Sequence, residues 1–186
     1  KLQILTPKQI QDAFYSAPVI PRFGNGPVID GSIIPRNQWS PTAPSFSANV
    51  PLMAGSTQTE NGWVGPPVFE LADAEMLDLF TSRIAGGNQA KGTELLNLYK
   101  NKYPNTRNRM LWLTAESDNT RRWDAQLLNR LKTEQAAAPS YLYLFNWHSP
   151  VHDNRIGSYH TLDIPFVFNN VDVATSMTGA ANARYE

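Results

Sequence analysis

The 186-residue sequence has no cysteine, so neither a disulfide nor a thiolate metal site can form within it, and cysteine usage leaves its compartment open. It also lacks any surplus of charge. Sixteen basic side chains balance sixteen acidic ones, and no one-signed field exists to attract nucleic acid or an anionic membrane. A neutral or modestly polar partner fits better. No apolar run approaches the roughly 20 residues that cross a bilayer, and no basic, then apolar, then small-residue leader opens the chain. The reading is of a soluble segment without a membrane span; secreted, periplasmic and cytoplasmic locations are not distinguished.

At this length the chain could be one ordinary domain. Both ends nevertheless read as cut. The chain starts at Lys1 with no initiator Met and stops at Glu186 inside a run of good helix formers from Thr178, which we read as the first turns of a longer helix.

Prolines concentrate in the first seventy residues, which predicts a loop-rich front with short strands and places the long helices later. Val28 to Ile34 reads apolar, then Asp30-Gly31, then apolar, the pattern of a tight hairpin, and Pro35 ends it. Val50-Pro-Leu-Met-Ala-Gly55 is a short apolar run that suits a buried strand of a parallel sheet, followed by a polar loop to Gly62. Met76, Phe80 and Ile84 share one helical face before Gly86-Gly87. Leu95, Leu96, Tyr99 and Tyr103 line a second helix that Pro104 stops, and Trp123, Leu127 and Leu131 line a third from about Asn119 to Gln135. Tyr141 to Trp147, rich in aromatic and apolar residues, is the most β-prone run of the chain. Strands separated by helical stretches favour an α/β arrangement with a mainly parallel sheet, in which ligands bind beyond the carboxyl ends of the strands. Chemistry is therefore expected in the loops after Gly55 and Trp147.

Those loops carry Glu60 and His160, one hundred positions apart. An acyl-transfer site needs an imidazole to move a proton and a carboxylate to fix its tautomer and stabilise the imidazolium. Sixteen acids and three histidines make this pairing weak by itself. The other two histidines form His148-x-x-x-His152-Asp153; a helix would put them on one face for a metal, but Pro150 intervenes, and a polar loop at the strand's end is the favoured reading. Glu116, Ser117 and Asp118 precede the third helix as possible caps. Trp63 and Trp147 follow the two strands and are candidate walls of a substrate pocket, as is Tyr159 beside the histidine.

The surrounding segments go further. Pro51-Leu-Met-Ala-Gly-Ser-Thr-Gln-Thr-Glu60-Asn-Gly62 resembles the strand and loop that deliver the triad glutamate in type-B carboxylesterases and cholinesterases. Ser158-Tyr-His160-Thr-Leu-Asp163-Ile-Pro-Phe-Val-Phe168 resembles their histidine loop. Gly24 to Pro35 is similar to the hairpin that precedes the glutamate strand in that family, and Pro139 to Phe145 to the strand that precedes the histidine. The four segments keep the family's order from residue 23 onward. Two departures are local: Asn61 separates Glu60 from Gly62, and Asp163 stands where glutamate is common.

The resemblance implies the C-terminal part of an α/β-hydrolase fold: residues 1–186 would be one portion of a single carboxylesterase domain, with a helical insert over about 70–135. It implies Glu60 and His160 as two members of a triad, Asp163 and Asp118 as support behind them, and no metal or organic cofactor. No G-x-S-x-G and no Gly-Gly-Gly loop occurs, so the nucleophile and the oxyanion donors are absent from this chain. Ser56 and Ser158 each follow a glycine without the second one and read as turn residues. The implied partners are an N-terminal part carrying G-x-S-x-G and a small ester substrate. The rival is a catalytically inactive, cholinesterase-like binding or adhesion module, against which the retention of both Glu60 and His160 speaks.

Overall fold

The computed structural model describes residues 2–16, 27–34, 36–62 and 70–180, in two units, Lys1–Ser40 and Pro41–Glu186. In the first unit, Thr6 and Gln9 form a reciprocal capping box that starts helix α1 (Pro7–Tyr15), with proline at its first position. The helix buries no residue. The predicted hairpin over 28–34 is instead a compact turn. The Asp30 carboxylate accepts the N–H groups of Ser32 and Ile34, both at 2.9 Å, and Gly31 takes φ 75°. A side chain that satisfies the backbone locally removes the need for a paired strand. Pro35 and residues 17–26 lie outside the described residues.

The second unit combines helices with a small parallel sheet, an α/β arrangement. Strands β1 (Leu52–Thr57) and β2 (Ser140–Phe145) run parallel, with Leu52 opposite Ser140 and Thr57 opposite Phe145. A parallel pair needs a long crossover, and the helices between Asp73 and Glu134 supply it here. Gly55 sits under the Tyr143 ring, where a Cβ would meet ring carbons at 2.5 Å, so the close crossing of the two strands at that point requires glycine.

The crossover opens with α2 (Asp73–Leu79), whose Glu75 carboxylate accepts the Ala72 N–H at 2.7 Å, and continues through a π-helical turn over Phe80–Ile84. Gly86 and Gly87, both at positive φ, end it. Helices α3 (Gln89–Lys102) and α4 (Asn108–Ser117) follow, and a second π-helical turn at Asp118–Arg122 leads without a break into α5 (Trp123–Glu134). Met76, Phe80, Leu96, Met110, Leu111, Trp112, Leu113 and Ala115 form one core, with Phe80 edge-on to both Tyr99 and Trp112. Helix α4, buried over most of its circumference, was not expected. Consequently Glu116, Ser117 and Asp118 lie inside a continuous helix and cap nothing.

The face of α5 also differs from expectation. Trp123 is exposed, and the buried residues are Ala125, Asn129, Leu131 and Lys132. What meets Asn129 and Lys132 is polar: a serine hydroxyl and main-chain carbonyls. Asn129 accepts from the Ser140 hydroxyl at 2.6 Å, and Lys132 donates to the carbonyls of Ser47 and Ala48, both at 2.7 Å. Polar residues on that face satisfy the carbonyls they cover.

After β2 come the short helices α6 (Ile164–Val167) and α7 (Thr175–Thr178). Helix α7 ends at Thr178 with Gly179 at φ 76°, and residues 181–186, over which a longer helix is predicted, lie outside the described residues. No helix among the described residues is long and apolar enough to cross a membrane.

Candidate functional site

Parallel strands carry their loops out at the same end, so the segments after β1 and β2 meet by construction. The ladder runs one bond past β1, with the Gln58 N–H donating to the Phe145 carbonyl at 2.9 Å. From there the loop of 58–62 is sewn to the loop of 156–160. The Thr59 N–H donates to the Ser158 carbonyl at 2.9 Å, and its hydroxyl donates to the Ile156 carbonyl at 3.0 Å. The Ser158 hydroxyl returns to the Phe145 carbonyl at 2.8 Å. Fully buried and so engaged, Ser158 is a structural hydroxyl.

Two glycines make the seam possible. A Cβ on Gly62 would lie 2.5 Å from the Ile156 carbonyl oxygen. Gly157 combines φ 65° with a virtual Cβ only 2.6 Å from Met110 and 2.7 Å from the Thr59 hydroxyl. No other residue fits there without displacement.

At the centre, His160 Nδ1 lies 2.8 Å from Glu60 Oε2, while the His160 N–H donates to the Glu60 carbonyl at 3.0 Å. The second carboxylate oxygen accepts the Thr57 N–H at 2.8 Å. The acid's side chain is 10% exposed and the histidine's 69%. Where the carboxylate accepts from Nδ1–H, a neutral imidazole carries its lone pair on Nε2, on a side chain that is largely exposed. A buried acid that fixes the tautomer of an exposed imidazole can support proton transfer at Nε2. The backbone beside it is under strain: Thr161 adopts φ 75°, a left-handed conformation costly for a β-branched residue.

Other expected residues distribute unevenly. Asp163 begins α6, and one of its oxygens accepts from the Tyr143 hydroxyl at 3.2 Å. Burial first, then the Asp163 and Glu60 charges, hold that phenol above its ordinary pKa. Tyr143 was not singled out in the sequence; its place two residues before the strand end, on the face of Gly55, is the signal that marks it. Asp118 stands elsewhere. Its carboxylate accepts from the Tyr99 hydroxyl at 2.8 Å and pairs with Arg122 at 3.0 Å, and it makes no hydrogen bond to the histidine loop. The π-helical turn directs it back onto the helices.

Trp147 is half-buried with its ring centroid 5.0 Å from that of Phe166. Tyr159 is fully buried with Ile156 and Leu162, so it supports the loop from below and is no pocket wall. Trp63 lies outside the described residues. His148 Nε2 lies 2.9 Å from Gln58 Oε1, tying the β2 exit to the β1 exit, and burial depresses its pKa. His152 and Asp153 take φ 55° and 56° in a short turn, so they share no helical face with His148. Two buried hydroxyls at the end of β1, on Ser56 and Thr57, have no hydrogen-bond partner.

No protein-family model matches the chain. Over 154 residues it is 25% identical to the para-nitrobenzyl esterase of Bacillus subtilis (strain 168), an alignment that takes in 83% of this chain and 29% of that protein. The chain thus spans less than a third of the length of that relative, and the likeness supports a distant relationship to a carboxylesterase.

Proposed function

We propose that this chain is the C-terminal part of a serine carboxylesterase with an α/β-hydrolase fold, in which Glu60 and His160 are the acid and base of a Ser-His-Glu triad. The observation that carries the reading is the 2.8 Å contact between His160 Nδ1 and the buried Glu60 carboxylate, on an imidazole that is largely exposed. A serine hydroxyl from an N-terminal part would lie against Nε2, lose its proton to His160 and attack the ester carbonyl. The tetrahedral oxyanion requires donors from that same part. His160 then protonates the leaving alcohol, and in the second half of the cycle it activates water to release the acid. Glu60 holds the tautomer and stabilises the imidazolium throughout. Asp163 and Tyr143 steady the histidine loop, and Trp147 forms part of the pocket wall. The chemistry needs no metal or organic cofactor.

The sheet supports a need for further chain. Tyr141, Leu142, Tyr143 and Leu144 of β2 are 38 to 54% exposed, which in a mainly parallel sheet marks faces and an edge meant to be covered. Hydrolysis of p-nitrophenyl acetate tests the proposal. The chain alone is expected to be inert, and addition of the N-terminal part carrying G-x-S-x-G to restore turnover. Substantial turnover by the chain alone would contradict it.

A further inference from the structure

Away from the histidine loop, helices α2 and α4 line an open cavity of about 530 Å³, within the range of small-molecule sites. Leu71, Leu79 and Trp112 give it apolar walls, and Ala74, Glu75 and Asp78 stand on its exposed rim. Its polar element is Arg109, 8% exposed. Among the described residues this guanidinium has neither a hydrogen bond nor an ion pair; burial is the main influence on it, and the one charge that acts on it is Glu116, seven positions along α4.

A buried arginine is an unusual thing to leave unpaired. It cannot shed its proton, and although its nitrogens still reach the water of the cavity, a cation so largely withdrawn from bulk solvent favours an anion beside it. An ion pair or carbonyl cluster would meet that need, as the carbonyls of Ser47 and Ala48 do for buried Lys132 in the same unit. Arg109 has no such arrangement, and it lines a cavity rather than a packed interior.

We propose that this cavity binds a monocarboxylate with an apolar body, the carboxylate taken by Arg109 and the body lying against Leu71, Leu79 and Trp112. The guanidinium fork matches two carboxylate oxygens, and the apolar walls strengthen that contact by excluding water. The rim carboxylates of Glu75 and Asp78 set the charge limit. They repel a dianion such as phosphate more than a single carboxylate whose charge is neutralised below them. Nothing in this assignment depends on the esterase reading, because α2 and α4 contribute neither Glu60 nor His160.

Isothermal titration of the complete protein with octanoate, octanol and inorganic phosphate tests it, alongside thermal melts of each variant. Octanoate is expected to bind saturably, and octanol about ten- to hundredfold more weakly, as for loss of a charge-assisted hydrogen-bonded pair. Phosphate is expected not to compete. Arg109→Met should abolish the octanoate event. Because that change removes a buried residue, Ala74→Trp serves as the second variant: it fills the cavity mouth from an exposed position and should remove binding while leaving the melt unchanged. Octanol binding as tightly as octanoate, phosphate competing on equal terms, or an octanoate event that survives Ala74→Trp in a folded protein would each overturn the assignment.

Discussion

The crossover helices and the sheet they connect differ in how far they are covered. Helices α2 to α4 close around Met76, Phe80, Leu111 and Leu113, each at most 1% exposed, while Tyr141 and Leu142 of β2 remain half exposed. The strands are the more apolar of the two in sequence, yet the less covered. The difference is that a helical bundle satisfies its backbone within each helix and needs only side-chain packing, whereas a two-stranded sheet leaves two edges unpaired and too little width to cover. The Glu60–His160 pair lies where the packed and the exposed parts meet, with Met110 of α4 under Gly157 of the histidine loop.

This contrast can be broken most sharply at the site. If the proposed triad operates in the complete protein, His160→Ala should lower kcat for p-nitrophenyl acetate by about four decades, and Glu60→Gln by a comparable amount through loss of the correct tautomer. Circular dichroism of both should be unchanged, since neither touches the helical core. Activity retained within tenfold in either variant would remove these residues from the triad.

A pair of truncations measures the two regions directly. Phe80→Ala should destabilise the chain by about 3–5 kcal/mol in urea unfolding, as for a fully buried aromatic. Tyr141→Ala should cost no more than about 0.5 kcal/mol in the chain alone, as for an exposed position. A larger loss for Tyr141 once the N-terminal part is present would show that the sheet is completed by that part. Gly157→Ala probes the seam. It combines left-handed strain with overpacking against Met110 and Thr59, and a loss of about 2–4 kcal/mol in thermal or urea melts is expected.

The smallest expected effect is on pH dependence. Folding holds His148 less basic than a free imidazole, whose pKa is about 6.5, so below that value the unfolded chain takes up more protons. Stability from this group is complete above pH about 6.5 and is lost as pH falls through the depressed folded value. Because the residue is exposed overall, the slope is shallow, and His148→Gln should flatten it in melts between pH 5 and pH 7.

The pairing of Glu60 with His160 was more legible in the sequence than the scaffold. Two β-prone runs with polar loops at their ends put Glu60 and His160 on neighbouring loops, because parallel strands impose that. Met76 and Phe80, spaced four apart, were legible as a buried stripe. Helix α4 was not, because a helix buried over most of its surface has no polar side to create a period: Met110 to Ala115 reads as a featureless apolar run. The packed face of α5 was misread for the opposite reason. Asn129 and Lys132 look like solvent residues, and only the Ser140 hydroxyl and the carbonyls of Ser47 and Ala48 that meet them explain their burial. The Asp30 turn shows the same limit, since an Asp-Gly pair signals reversal of the chain but not whether strands extend from it.

The double attachment between residues 60 and 160 decides how amino-acid replacements there can be interpreted. One strap is main chain to main chain and survives any change of side chain, so the loop stays moored when the carboxylate is neutralised. Only the ring's rotation about its own bonds is released. A glutamine at position 60 therefore isolates proton bookkeeping from loop anchorage, and a defect in it belongs to the imidazole alone.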